Sequence, residues 1–212
     1  GSLVTWSASR ALDAQGSVTC LRYRSAITRG YRRTHLLPND KPEVVKAFVE
    51  GAWPLLQRME GVVGLRRLAH AWSDLGAAAF LETRALIGAS LMDLLTCRVR
   101  AACGIVDLIP PREPYRVRLE SAVDLLGVTP SVDLKDVVDI RNAIVHETTL
   151  AQGSRLPVES FSTLLALLGE MVLALYRYEG PVADWAHRAE RELHLAAECP
   201  WSDFCGPTTF GV

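Results

Sequence analysis

The chain has 212 residues, 49% of them hydrophobic and 22% charged, with a formal net charge of −1. This is the balance of an ordinary globular protein long enough to bury a sizeable core, and it excludes a globally basic nucleic-acid binder. No membrane partner is expected, because the longest apolar candidate, Phe161 to Tyr176, is interrupted by Ser162, Thr163 and Glu170 and falls short of the roughly 20 residues a span needs.

Gly1-Ser2 reads as a cloning scar, so the chain is expected to be a piece of a longer protein. Leu3 to Ser9 and Val18 to Thr28 alternate in the manner of strands around the turn-like Asp13-Ala-Gln-Gly16. Residues 1–40 are therefore expected to form a β-hairpin and linker, the end of an upstream β domain. Within them Arg22, Arg24, Arg29, Arg32 and Arg33 interleave with Tyr23 and Tyr31 and include no acid. Such a strip can track a nucleic-acid backbone; it can equally be a solvated strand.

Asp40 and Pro42 mark a helix start, and a helix from Pro42 to about Glu60 is expected to kink at Pro54. Val63 to Asp74 predicts a shorter helix. Gly76 to about Cys103 predicts a long central one, apolar on most of its circumference, in which Glu82, Arg84 and Asp93 must face a partner, a groove or water. Pro110 to Pro114 interrupts. Tyr115 to Leu126 is the next helix, with Gly127 as its C-terminal cap and Ser131 as N-cap of the one that follows. Thr148 to Pro157 is a polar loop. Phe161 to Leu175 is a leucine-rich helix, and a final amphipathic helix is expected around Trp185 to Glu198, then an irregular tail.

The fold class is thus all-α: an antiparallel helical bundle over 41–180, with a short N-terminal β-hairpin and, over 181–212, an extra C-terminal helix and tail. Cys20, Cys97, Cys103, Cys199 and Cys205 are odd in number and contain no C-x-x-C pair, which points to a reducing, cytoplasmic setting. Cys199 and Cys205 with His194 fit no common zinc spacing, so no metal is expected.

The chemistry concentrates in Arg141-Asn-Ala-Ile-Val-His146, inside an amphipathic run carrying Leu134, Val137, Val138, Ile140 and Ile144. A permanently charged, forked guanidinium beside an imidazole that titrates near neutrality can grip a phosphate and move a proton. Residues five apart on a helix are separated by roughly 140° about the axis. Arg141 and His146 therefore share no face of a straight helix, and completion must come from a helix end or a second subunit. The simpler alternative pairs Arg141 with Asp139, Asp136 or Glu82 and leaves His146 on the last carbonyls of its helix.

Asp139-Ile-Arg-Asn-Ala-Ile-Val-His-Glu147, with the long helix carrying Leu81-Glu-Thr-Arg84 before it and a leucine-rich helix after it, resembles the signature of HEPN domains. It is most similar to the ApeA-like HEPN domains of bacterial abortive-infection proteins, and the resemblance spans roughly 42–180. It implies a homodimeric helical bundle that pairs two motifs in one cleft. The implied activity is metal-independent and cofactor-free RNA cleavage in a defence or toxin system, with Arg141 and His146 catalytic and Asn142 supporting. Glu82 and Arg84 would be auxiliary residues, and an upstream sensor or an antitoxin would be a partner. Some family members only bind nucleotides or dimerise, and that non-catalytic alternative stays open.

Overall fold

The computed structural model describes residues 2–12, 18–29, 36–38, 41–78, 80–105, 113–146, 158–187 and 189–205; the two N-terminal stretches and positions 57–58, 146 and 204–205 are described as backbone. The expected hairpin is present as β1 (Ser2–Leu12) and β2 (Val18–Arg29), paired antiparallel with Val4 opposite Ile27 and Ala8 opposite Tyr23.

α1 (Pro42–Val63) begins on Pro42, whose missing N–H costs nothing in a first turn, and carries Pro54 in its interior. It stops at Gly64, which at φ 68° adopts the left-handed conformation and returns its N–H to the Glu60 carbonyl at 3.1 Å. α2 (Leu65–Ala77) starts immediately, its Arg66 N–H taken by the Glu60 carboxylate at 2.8 Å. α3 (Leu81–Ala102) is the central helix and packs on α1, α2, α4 (Tyr115–Leu126), α5 (Leu134–His146) and α6 (Val158–Leu175). Its small residues Ala85, Gly88 and Ala89 allow this close approach: a Cβ on Gly88 would stand 3.2 Å from Leu164 and 3.3 Å from Leu75.

α6 is buried along nearly its whole length, from Phe161 through Leu175. Its length and apolarity alone would suit a membrane span, but the surrounding helices already cover its apolar surface. Its C-terminal carbonyls are closed without glycine. Arg177 takes φ 54°, Tyr178 N–H returns to the Leu173 carbonyl at 3.2 Å, and the buried Trp201 indole donates to the Leu175 carbonyl at 3.1 Å. The Arg177 side chain then donates to Cys199 Sγ at 3.1 Å and to the Ala196 carbonyl at 3.2 Å, fastening the C-terminal segment to the bundle.

That segment differs from expectation. Instead of a helix over 185–198 it forms a second antiparallel hairpin, β3 (Gly180–Asp184) and β4 (Ala189–Leu193), followed by a six-residue helix, α7 (Pro200–Cys205). Helix-forming residues are overruled here by tertiary contacts. Arg191 reaches the buried carboxylates of Glu170 and Asp184, and Asp184 also accepts the His187 backbone N–H at 3.0 Å, which closes the turn. β3 reaches back to the N-terminal side of the bundle: Ala183 N–H donates to the Leu36 carbonyl at 3.0 Å, Leu36 packs over Gly169, and Lys41 pairs with Glu190 of β4.

A second correction concerns the start of α5. Ser131 does not cap it; its hydroxyl and N–H both turn to the buried Glu170 carboxylate. The cap is Asp133, whose carboxylate accepts the Lys135 N–H at 2.8 Å while its carbonyl takes Val137 N–H at 3.2 Å.

Candidate functional site

α5 faces the core with Val137 and Ile144, and Arg141 lies between them at helical spacing, so the same periodicity that buries the valine carries the guanidinium inward. Only 9% of Arg141 remains exposed. A buried guanidinium requires a partner, and Asp93 in the middle of α3 supplies it. Arg141 Nε donates to Asp93 Oδ1 at 3.0 Å and Nη2 donates to Oδ2, the two-pronged geometry in which Arg–carboxylate pairs are strongest. Nη1 donates to the Asn142 side-chain oxygen at 3.1 Å. The guanidinium carbon stands 4.4 Å from the centre of the Tyr115 ring, within cation–π range.

Burial works against the Arg141 charge, but the Asp93 hydrogen bonds and charge outweigh it and hold the group above its ordinary value. The Tyr115 phenol moves up as well, first through burial and then through the nearby Asp93 carboxylate. Its hydroxyl and that of Thr96, on the α3 turn beside Asp93, are both buried and close enough to interact, but neither makes a well-aligned hydrogen bond.

His146 is the last residue of α5, five positions beyond Arg141. The backbone thus places His146 at the end of its helix. Glu147 and the loop through residue 157 lie outside the described residues.

The auxiliary residues do not gather here. Arg84 is buried, but it donates through Nε to the Ala78 carbonyl at 2.9 Å and through Nη2 to the Gly76 carbonyl at 2.8 Å, closing the C-terminal end of α2. Nine helical residues put it on the opposite side of α3 from Asp93. Glu82 shares Asp93's side of α3 but sits three turns earlier, in the first turn, about 16 Å along the axis. Of the carboxylates named as alternatives, Asp139 stands 3.8 Å from Lys135.

In β2 the register places Arg22 and Arg24 opposite Ser9 and Ser7, on one face of the hairpin, and Arg29 opposite Ser2 on the other. Arg32 and Arg33 lie outside the described residues. Among the described residues no three metal-binding side chains come together.

Sequence reasoning missed Asp93 and Tyr115 as parts of the site. Asp93 carried a usable signal: a lone carboxylate inside Leu91-Met-Asp-Leu-Leu95 must have a partner. Tyr115 carried none beyond marking a helix start. Comparison with family models, with curated proteins and with solved structures returned no match. Chemically, the arrangement is a fixed, desolvated cation at the C-terminal half of a helix that ends on a histidine.

Proposed function

We propose that the chain is a metal-independent endoribonuclease domain of a bacterial defence or toxin protein, acting at the Arg141–His146 end of α5 as a homodimer in the cytoplasm. The observation that carries this reading is the fixing of Arg141 by Asp93 of α3, Tyr115 of α4 and Asn142 of α5, five residues before His146. A cation fixed in advance stabilises developing phosphorane charge without reorganising during the reaction. Among the described residues Cys97, Cys103 and Cys199 form no disulfide, which suits a reducing compartment.

In this scheme an RNA 2′-oxygen attacks the adjacent phosphorus while the bond to the 5′-oxygen breaks, leaving a cyclic phosphate and a 5′-hydroxyl. His146 takes the 2′-hydroxyl proton or delivers one to the leaving oxygen, and the second motif of a dimer supplies the complementary group. DNA, lacking the 2′-hydroxyl, is not a substrate. The test is cleavage of single-stranded RNA in the presence of EDTA. Wild-type protein should cut, and Arg141→Ala and His146→Ala should each reduce the rate by at least about 100-fold.

One observation favours a second reading. Asp93 neutralises Arg141 through the guanidinium's Nε–Nη2 edge, as a purely structural ion pair would. In that case the domain is a nucleotide-binding or dimerisation module. Intact RNA in the presence of wild-type protein that nonetheless binds a nucleotide would select it.

A further inference from the structure

Tyr115 serves two guanidiniums. Arg118, one helical turn further along α4, has its guanidinium carbon 5.5 Å from the same ring centre that Arg141 approaches to 4.4 Å. The two cations differ in how they are compensated. Arg141 has Asp93 and Asn142, whereas among the described residues Arg118 Nη1 reaches only the Cys97 sulfur, a weak acceptor, at 3.7 Å. Its Nε is buried and donates to nothing among the described residues.

Among the described residues the other buried or half-buried arginines all reach oxygen. Arg84 and Arg177 reach carbonyls, Arg100 reaches Glu113, and Arg191 reaches Glu170. Arg116, exposed on the same helix, pairs with Glu120 at 2.7 Å and shows what a solvated arginine of α4 looks like. A half-buried cation without an anion is costly, and a fold retains one most readily where a ligand brings the missing charge.

We propose that Arg118 is a second phosphate-binding guanidinium of the Arg141 site, holding the backbone phosphate next to the one that Arg141 faces. The proposal rests on the reading of the domain as an RNA-binding nuclease. It adds that the strand runs along the α3–α4 seam, past Cys97 and Tyr115. Arg118 keeps partial solvent access, which a ligand phosphate needs. The Tyr115 ring holds the two cations at a set separation, so the seam reads a sequence of charges and not of bases.

The test is salt-dependent binding of a mixed-sequence single-stranded 2′-O-methyl RNA, whose blocked 2′-oxygen allows wild-type protein to be measured without cleavage. Each phosphate contact on a single strand contributes about 0.7 to the slope of log affinity against log salt. Arg118→Gln should weaken binding several-fold and flatten the slope by about that amount. Arg118→Lys should keep the slope, and Arg116→Gln should change neither. Thermal midpoints should be unchanged or raised in Arg118→Gln, since an uncompensated charge is removed.

Wild-type binding with an unaltered slope in Arg118→Gln overturns the Arg118 assignment and leaves the nuclease reading standing. A marked fall in the midpoint of both Arg118 variants also overturns it, by making the residue structural. Absence of any wild-type binding at low salt removes the RNA reading and this proposal together.

Discussion

Arg141 and Asp93 are 48 positions apart in the chain and meet through two parallel hydrogen bonds, so α5 is tied to the middle of α3 by one charged pair. The pair is asymmetric: the Arg141 side chain is 10% exposed and the Asp93 side chain 33%. Removing the carboxylate leaves the more deeply buried charge alone. Asp93→Ala should therefore cost about 2 kcal/mol, less than a fully buried pair because water reaches Asp93. That corresponds to a fall of about 4–8 °C in thermal midpoint for a chain of this size. Adding Arg141→Met to that variant should recover part of the loss, and a double-mutant cycle that is strictly additive would refute the pairing.

The hydroxyls of Thr96 and Tyr115 differ from most buried polar groups, since neither makes a well-aligned hydrogen bond. Thr96→Val and Tyr115→Phe each remove a buried hydroxyl that lacks a well-aligned partner and keep the shape. Both should be neutral or stabilising by up to about 1 kcal/mol in urea unfolding. Tyr115→Leu, which deletes the ring beneath Arg141, should instead lose about 2 kcal/mol and, with it, RNA cleavage. A Thr96→Val variant destabilised by more than about 1 kcal/mol would show that the hydroxyl is bonded after all.

Glu170 and Asp184 share Arg191 and respond to pH in opposite senses. Burial pushes the Glu170 carboxyl above its ordinary 4.5, partly offset by Ser131 and Arg191. The folded state then holds that proton more tightly than the unfolded one, and stability falls as pH rises from 4.5 to the folded value. For Asp184 burial is outweighed by hydrogen bonds from His187 and the charge of Arg191, which hold it below its ordinary 3.8. Its contribution is complete above 3.8 and is lost as pH falls through the folded value. Thermal midpoints followed from pH 3 to 7 should lose the upper decline in Glu170→Gln and the lower decline in Asp184→Asn. Identical profiles for the two variants would contradict the assignment.

Two glycines hold left-handed backbone for the same local reason but in different surroundings. Gly64, at φ 68°, has open space where a Cβ would go. Gly127, at φ 70°, would place one 3.2 Å from the Ala196 backbone nitrogen and from both Ala196 and Cys199 Cβ. Gly64→Ala should cost about 1 kcal/mol, the conformational penalty alone. Gly127→Ala should cost at least twice that, because it also wedges the C-terminal segment away from the end of α4. Equal losses in a calorimeter would mean that the segment yields freely.

The helices were legible because their signals are local. Pro42 opens α1, Gly127 closes α4, and the leucines of α6 repeat at helical spacing. The second hairpin was not legible, because what selects strand over helix at Arg191 is a carboxylate 21 residues earlier in the chain. Ser131 shows the same limit: next to a helix start it has the chemistry of a cap, yet a buried glutamate 39 residues away claims it. In the candidate site, Arg141 and His146 stood out by residue type and spacing. The partner that fixes the arginine could be inferred only as some carboxylate, since one-dimensional spacing on α5 contains no information about α3.

The end of α6 carries a consequence of its own. Arg177 occupies a backbone conformation that disfavours any side chain, and it is tolerated because that side chain reaches Ala196 and Cys199. The residue thus trades a local conformational preference for a long-range tether, and its sign depends on whether the tether has anything to hold. In the intact chain glycine at 177 relaxes the backbone and releases the tail. In a chain ending just after Tyr178 the same replacement would be a plain improvement, so the preferred residue at one position is decided by sequence that lies twenty positions downstream.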